Sequence, residues 1–282
     1  ADDAHADGGG RSAVFTSQMR ANAATGAELA AALSRSLADA ELEIEYQPVY
    51  STLSREAVGA EALVRWNHPT RGAIDAATTI RIAEQSDSIG RLGELVLRRA
   101  LTDLVTWRRT GRVDDRFAVH VNISQQQLAS ASFPDAVRAE LSGHDLSPRQ
   151  LILEAHESPR LSSQPCIVRS IRALRRQGIR VALDDFGTGA KSLAVLTDVG
   201  VDVLKLDGSL SLPPGSPLDD VRVVRAVIAL AHSLDMDVVA EHVTSVGQLE
   251  RLRAAGCDMV QGNLLAVPVP SGDLSFEPSS SW

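Results

Sequence analysis

Several features that define specialised protein classes are scarce in this sequence. Its 282 residues include only two cysteines, Cys166 and Cys257, which are too few and too far apart for a disulfide framework or a cysteine-rich zinc site. We expect both to be buried structural thiols in a reducing compartment. The chain also lacks an apolar run of the roughly 20 residues that a membrane-spanning helix needs. We therefore expect a cytoplasmic location and no membrane contact from this chain, even if a longer form of the protein is anchored in a membrane.

Positive charge is scarce as well, because 28 lysine and arginine residues stand against 36 aspartate and glutamate residues, a formal net charge of −8. Surfaces that bind nucleic acid polymers are normally basic, so we expect no nucleic acid polymer as a partner. A small anionic ligand is still compatible with this charge, since a bound metal ion reverses the local field inside an acidic pocket.

What the sequence does contain is a regular alternation of strand-like and helix-like segments. Helical spacing of apolar residues is clear in segments 92–105, 167–174 and 223–231. Eight apolar runs have strand character: residues 42–50, 57–66, 117–124, 151–157, 180–186, 201–207, 237–243 and 258–264. Eight strands alternating with helices over roughly 230 residues predict an α/β protein with a TIM-like (β/α)₈ barrel. The competing open doubly wound sheet usually carries a glycine-rich dinucleotide fingerprint after its first strand, and that fingerprint is missing.

The first strand is predicted to run against the rest. Only residues 51–56 join it to the second strand, and this link is too short for a helical crossover. The predicted barrel therefore has its first strand antiparallel to the other seven. With 44% hydrophobic residues, the chain can bury the large core that such a barrel requires.

Two adjacent carboxylates, Asp184 and Asp185, end one of these apolar runs. Like charges packed side by side against a core are unfavourable unless a positive charge lies between them. The pair therefore either points into water as an ordinary strand-to-loop turn or holds a cation. Polar groups also lie near the C-terminal ends of six other runs: Glu61, Asn122, Glu154, Lys205 with Asp207, Glu241 and Gln261.

In a barrel, the C-terminal ends of the strands surround one opening, so these polar groups are expected to converge there. Their donors are mostly carboxylate and amide oxygens, which suit Mg²⁺ or Mn²⁺ better than Zn²⁺. Four or more carboxylates predict two ions that share a bridging ligand, for which Asp184 is the natural choice. The paired aspartates would then tolerate each other because each faces a cation.

At this point the motifs can be compared with a known family. In the family's own order, the chain resembles the EAL-domain cyclic di-GMP phosphodiesterases through "YQPV" (46–49), "EALVRW" (61–66), "VNIS" (121–124), "LEAHES" (153–158), "DDFGTG" (184–189), "LKLD" (204–207), "VAEHV" (239–243) and "QG" (261–262). The resemblance implies hydrolysis of cyclic di-GMP to linear pGpG with two Mg²⁺ or Mn²⁺ ions per site. It also implies a homodimer.

The resemblance assigns a role to each candidate site residue. One ion would be held by Glu61, Asn122, Glu154 and Asp184. The other would be held by Asp184, Asp185 and Glu241. Lys205 would orient or deprotonate the attacking water, Glu157 would brace the loop around residues 186–193, and Gln261 would support the water and the second ion. Cyclic dinucleotide binding is assigned to Gln47 and Arg65, with Asp207 placed beside them.

Several positions depart from the family pattern without removing a metal ligand. Ala190 and Lys191 replace common loop residues, and Thr244 stands where the pattern has a second glutamate. His156 and His242 also differ from the family pattern. They are either additional metal ligands or pH-sensitive groups near the metals, or residues that simply pack at the rim. These changes predict low activity. The alternative is a catalytically weak or inactive EAL domain that serves as a cyclic di-GMP receptor or protein-interaction module.

The motifs also suggest how the chain is divided. Residues 28–270 are predicted to form the barrel, and residues 271–282 a polar C-terminal tail. Residues 1–27 are either an unstructured leader or the remnant of an upstream domain, because "AHADGGGRSAVFTSQMR" resembles the closing segment of a GGDEF domain.

Overall fold

A computed structural model describes residues 17–39, 41–187, 192–210 and 218–277 of the chain. Within these ranges, ten strands form one sheet. In chain order they are β1 Glu43–Ser51, β2 Ala57–His68, β3 Gly72–Ile74, β4 Ala118–Ile123, β5 Leu151–His156, β6 Arg180–Phe186, β7 Val203–Leu206, β8 Asp237–Ala240, β9 Met259–Val260 and β10 Val269–Pro270. All eight predicted strands are present, and β3 and β10 are short additions at β2 and β1.

The sheet closes into the predicted barrel through its first strand. Strand β1 pairs antiparallel with β2, where Gln47 lies opposite Glu61, and antiparallel with β9, where Tyr50 lies opposite Val260. The other barrel strands pair in parallel in the order β2, β4, β5, β6, β7, β8, β9. The prediction of a (β/α)₈ barrel with an antiparallel first strand is therefore confirmed.

Helices cover the outside of the barrel. They are α1 Ser17–Ala38, α2 Ala76–Gln85, α3 Ile89–Arg109, α4 Gln125–Ala129, α5 Phe133–Gly143, α6 Pro159–Ser163, α7 Pro165–Arg176, α8 Ser192–Val199, α9 Leu218–Ser233 and α10 Val246–Ala255. Each long helix buries one apolar stripe, as Ile167, Ile171 and Leu174 show on α7. None of the helices in the described ranges combines the length and apolar character that a bilayer crossing requires.

Side chains that point into the barrel form an apolar layer with a polar layer above it. The apolar layer consists of Val49, Ala118, Ile152, Ala182, Val203, Val239 and Met259. Successive side chains of a strand point to opposite faces, so a residue two positions further along points the same way. On β7 this step leads from Val203 to Lys205. The polar layer therefore lies at the C-terminal opening, directly above the apolar one.

Described segments before β1 and after β10 pack against the barrel. Helix α1 begins at Ser17, inside the segment that the sequence sets apart as a leader. After β10, the described part of the proposed tail packs at the opposite end of the barrel from the opening. Leu274 is only 2% exposed there, and the Phe276 ring lies 5.5 Å from that of Trp107 and 5.1 Å from that of Phe117.

Candidate active site

A buried lysine lies at the centre of the polar layer. Lys205 Nζ lies 2.8 Å from Glu154 Oε2 and 2.8 Å from Glu241 Oε1. It also lies 3.2 Å from Asp184 Oδ1 and 3.4 Å from Glu61 Oε2. The lysine side chain has no exposure to solvent, and all four acidic residues are buried. Five residues predicted from separate strand ends therefore form one cluster.

The adjacent aspartates reach this cluster through a bulge in β6. Pairing with β7 joins Leu183 to Leu204 and then Phe186 to Leu206, so the β6 segment carries one extra residue. That residue is accommodated by Asp185, whose φ of 58° lies in the left-handed region. The Asp184 side chain is 7% exposed and that of Asp185 is 43% exposed. Both carboxylates consequently face the barrel opening, one deep and one near the rim.

Amide side chains hold the Glu61 carboxylate from both sides. Asn122 Nδ2 donates to Glu61 Oε1 at 2.8 Å, and Gln261 Nε2 donates to Glu61 Oε2 at 2.9 Å. Gln261 Nε2 also lies 3.1 Å from Gln47 Oε1. The position of Gln261 depends on Gly262, because a Cβ there would overlap the backbone of Val243. This network fixes where the remaining amide oxygens point.

Two buried oxygen atoms of the described site have no hydrogen-bond partner. They are Asp184 Oδ1 and Gln261 Oε1. Asp184 Oδ1 is close enough to the Lys205 ammonium for an ion pair at 3.2 Å, but the pair does not have hydrogen-bond geometry. Buried polar atoms are rarely left unsatisfied, so both oxygens indicate a place for a ligand.

The charges of the cluster do not balance. Burial raises the pKa of the Glu241 carboxyl to about 8, even though the Lys205 ammonium beside it acts in the opposite direction. Burial and the Glu61 charge raise the pKa of Glu154 well above its ordinary value. Burial also opposes ionisation of Glu61, but Lys205 and two amide hydrogen bonds outweigh it and lower the Glu61 pKa to about 2. One ammonium among four carboxylates leaves the site ready to take up protons or cations.

The structure adds one buried residue that the sequence patterns did not single out. His120 Nδ1 lies 2.8 Å from Glu154 Oε1, and burial together with the Lys205 charge lowers the pKa of His120 to about 3. A neutral imidazole therefore supports the Glu154 carboxyl. The sequence feature that could have identified His120 is its position two residues before Asn122, because this spacing places both side chains on the same face of β4.

Other predicted site residues surround the opening. Arg65 follows Glu61 by four positions on the same face of β2, and its Nε donates to Glu45 Oε2 at 2.7 Å. Asp207 accepts a hydrogen bond from the Ser209 backbone N–H at 2.8 Å.

Glu157 Oε2 accepts a hydrogen bond from the Gly187 N–H at 3.4 Å, at the start of the loop that the sequence predicts it to brace. The loop positions Ala190 and Lys191 lie outside the described residues.

The two histidines that depart from the family pattern both lie at this rim. His156 Nδ1 is 3.0 Å from Asp185 Oδ2 and 3.4 Å from Asp184 Oδ2. His242 is exposed and has a φ of 56°, and its side chain lies over Gly208, where an added Cβ would come within 3.2 Å of it. His242 thus lies against Gly208 in the wall of the opening, whereas His156 contacts both aspartates.

The opening contains a cavity of about 400 Å³, within the roughly 300–1,000 Å³ of small-molecule sites. Its wall consists of Gln47, Glu61, Leu63, Asp184, Asp185, Glu241, His242, Thr244, Gln261, Gly262 and Asn263. The donor set of carboxylates and amides, the excess of negative charge and the two unpartnered oxygens all fit hard divalent cations such as Mg²⁺ or Mn²⁺.

Comparison with known proteins agrees with this geometry. The EAL domain profile matches residues 30–268, which includes the barrel and every residue of the site. The chain belongs to the EAL domain family. The earlier resemblance is thereby confirmed.

Curated relatives of this EAL domain come from several bacteria. It is 35% identical over 260 residues to MucR of Pseudomonas aeruginosa, a bifunctional diguanylate cyclase/cyclic di-GMP phosphodiesterase, covering 92% of this chain and 38% of MucR. It is 36% identical over 256 residues to the cyclic di-GMP phosphodiesterase NbdA of the same species, covering 91% of this chain and 32% of NbdA. The chain thus spans only about a third of the length of these relatives.

Solved EAL structures share the fold. The PaMucR phosphodiesterase in complex with c-di-GMP superposes with a TM-score of 0.80 at 33% identity, covering 87% of this chain and 98% of that one. The EAL enzyme Bd1971, solved with cAMP and cyclic di-GMP, gives a TM-score of 0.83 at 29% identity, covering 89% of this chain and 68% of that one. Both likenesses extend over nearly the whole EAL domain described here.

Proposed function

We propose that this EAL domain hydrolyses cyclic di-GMP to linear pGpG with two divalent cations, Mg²⁺ or Mn²⁺. The observation that carries the proposal is the convergence of four buried carboxylates and one lysine on the barrel opening. A phosphodiester is an anion and is repelled by such a pocket unless cations neutralise the carboxylates. When bound, the cations neutralise the phosphate and generate a nucleophile at neutral pH.

The residues assigned to the two ions are those that the family resemblance implies. Glu61, Asn122, Glu154 and Asp184 would hold one ion. Asp184, Asp185 and Glu241 would hold the other. Supporting this division, Asp184 is deep and Asp185 is half-exposed, so the two aspartates reach different depths of the same opening.

Lys205 keeps the carboxylates together and orients the attacking water. Its Nζ is within 3.4 Å of four carboxylate oxygens, so its place among them is fixed by strong charge–charge contacts. The water oxygen would form a new bond to phosphorus while the bond from phosphorus to the ribose oxygen breaks, and one proton of the water would end on the released ribose hydroxyl. Gln261 supports the water through the amide oxygen that has no other partner. Glu157 positions the following loop by accepting from the Gly187 N–H.

Recognition of the dinucleotide falls to polar residues at the rim. The Arg65 guanidinium offers two parallel donors that match a phosphate, and its present acceptor, Glu45, is partly exposed. A phosphate would therefore compete with Glu45 for Arg65. Gln47, which contacts Gln261, and Asp207 complete the proposed binding residues. We further propose that the domain acts in the cytoplasm as a homodimer, as the family resemblance implies.

The second candidate function is a cyclic di-GMP receptor with little or no turnover. Thr244 supports it, because this exposed wall residue offers no carboxylate and has its backbone N–H bonded to Gln248 Oε1 at 2.9 Å. A receptor would need the cavity and the rim residues but not correctly held ions. The two functions therefore differ in whether product forms.

Product analysis tests the proposal directly. The purified chain would be incubated with cyclic di-GMP and saturating Mg²⁺ or Mn²⁺, and linear pGpG would be separated chromatographically. We expect slow conversion, with Thr244→Glu increasing it most at limiting Mg²⁺. The matched control is Asp273→Asn, which changes an exposed carboxylate that does not line the cavity. Tight cyclic di-GMP binding without any product at saturating Mn²⁺ would refute the proposed phosphodiesterase activity and favour the receptor function.

A further inference from the structure

His156 lies at the end of β5, opposite Asp184 in the parallel register with β6. Its Nδ1 is 3.0 Å from Asp185 Oδ2 and 3.4 Å from Asp184 Oδ2. One donor atom from each of these three residues lies within 4.8 Å of the other two. Neighbouring ligands of an octahedral ion with bonds of about 2.1 Å are about 3.0 Å apart. The two distances from His156 Nδ1 are thus close to those between neighbouring ligands of a single cation.

A second observation concerns the other oxygen of the Asp184 carboxylate, which lies between this cluster and Lys205. The Asp184 side chain is 7% exposed, and its Oδ1 has no hydrogen-bond partner within the described part of the chain. Its only close contact of opposite charge among the described residues, besides His156, is the Lys205 ammonium at 3.2 Å. A buried carboxylate oxygen without a hydrogen bond is unfavourable unless a cation binds to it.

We propose that His156 is a third ligand of the ion held by Asp184 and Asp185, and that it shifts this position toward Mn²⁺ and Co²⁺ and away from Mg²⁺. The inference rests on the proposed function for the presence of that ion. Imidazole nitrogen suits transition-metal ions, whereas Mg²⁺ prefers oxygen ligands and retains its water. Affinity in nitrogen-containing sites also rises from Mn²⁺ to Co²⁺. The histidine therefore selects among metals rather than adding general affinity.

The opposing explanation is that His156 only donates a hydrogen bond that positions Asp185. Two substitutions separate these roles. His156→Thr removes both the nitrogen and the length of the side chain. His156→Gln keeps an N–H donor of similar reach but has no imidazole. The matched control is His232→Gln, since His232 Nε2 lies 2.9 Å from Asp258 Oδ2 in a His–Asp pair of similar exposure outside the opening.

Calorimetric titration of the metal-free chain with Co²⁺ and with Mg²⁺ tests the proposal, and the visible spectrum of bound Co²⁺ reports nitrogen ligation. We expect both His156 variants to lose at least about tenfold in Co²⁺ affinity, the lower end of what losing a supporting partner does at metal sites. The Co²⁺ spectrum of both variants should change. Their Mg²⁺ affinity should stay within about threefold of the wild type, because Mg²⁺ prefers oxygen ligands to an imidazole nitrogen. His232→Gln should match the wild type in every measurement.

Wild-type Co²⁺ affinity and spectrum in His156→Gln would overturn the proposal, because the glutamine can replace a hydrogen bond but not an imidazole ligand. Hydrolysis of cyclic di-GMP by the wild type is measured in parallel with Mg²⁺. If no hydrolysis occurs but the Co²⁺ spectrum depends on His156, the proposed phosphodiesterase activity is refuted and the role of His156 as a metal ligand is supported. Hydrolysis together with unchanged Co²⁺ binding in His156→Thr refutes the ligand role alone.

Discussion

Lys205 Nζ lies 2.8 Å from Glu154 Oε2, and neither side chain is accessible to water. This contact joins β5 to β7 across the barrel interior rather than along the sheet. Buried pairs of this kind are weak evidence for stability, but breaking one leaves an uncompensated charge. Lys205 also forms ion pairs with carboxylates at the ends of three further strands, Glu61, Asp184 and Glu241. The lysine therefore determines whether the carboxylate cluster can exist without metal.

Replacing the lysine should expose this dependence. We expect Lys205→Met, which keeps the length of the side chain, to lower the free energy of unfolding of the metal-free chain by roughly 3–5 kcal/mol. Saturating Mn²⁺ should recover part of that loss, because cations replace the missing ammonium. Urea unfolding with chelator and with Mn²⁺ measures both effects. Equal stability of variant and wild type in chelator would contradict the central role of Lys205.

Removing a single ligand should abolish metal-dependent turnover. We expect Asp184→Asn and Glu61→Gln each to reduce hydrolysis by more than the roughly 10- to 100-fold that loss of a supporting partner causes. Both variants keep the volume of the side chain, so the loss reflects charge. Asp273→Asn is the control, and initial rates at several Mn²⁺ concentrations are the measurement. Full activity in Asp184→Asn would rule out a shared aspartate between two ions.

Calcium should separate binding from chemistry. Ca²⁺ takes more ligands and longer bonds than Mg²⁺, so it should enter the carboxylate cluster without orienting the water well. We expect cyclic di-GMP to bind in Ca²⁺, and we expect Ca²⁺ to inhibit hydrolysis in Mg²⁺. Calorimetric binding and product assays in the two ions check this. Equal turnover in Ca²⁺ and Mg²⁺ would argue against the proposed ion geometry.

The backbone at His242 should favour glycine. Its φ of 56° costs an L-residue roughly 1–2 kcal/mol, whereas glycine loses about 0.5–1 kcal/mol through its freer unfolded chain. We expect His242→Gly to raise the free energy of unfolding by up to about 1 kcal/mol and His242→Val to lower it. Urea unfolding of the three proteins compares them. A valine variant as stable as the wild type would show that this backbone relaxes without strain.

The segment after β10 should matter for stability and not for metal binding. Leu274 is 2% exposed, so Leu274→Ala should lower the free energy of unfolding by about 2–5 kcal/mol. Leu53 is 91% exposed, so the control Leu53→Ala should change the free energy of unfolding by less than about 0.5 kcal/mol. Mn²⁺ affinity should be the same in both variants, because Leu274 lies at the far end of the barrel. A negligible loss in Leu274→Ala would mean that this segment is a dispensable tail.

The sequence by itself predicted the barrel, and it supplied the candidate residues at the strand ends. Strand-like runs recur with helices between them, and the polar residue at each strand end is read directly from the alternation. The antiparallel first strand followed from the short link at residues 51–56. These features are local, because strand periodicity and connection length depend on neighbouring residues only. The family motifs then added roles that local patterns could not supply.

Only the tertiary structure decided which of these residues touch. The β6 bulge that turns Asp185 into the opening depends on pairing with β7, and His120 reaches Glu154 only because β4 and β5 are neighbours in the sheet. The contact of His156 with both aspartates follows from the register of β5 against β6. Register and strand order arise from contacts between segments far apart in the chain, so no local pattern carries them. A histidine at a strand end therefore becomes a candidate ligand only once its neighbours across the sheet are known.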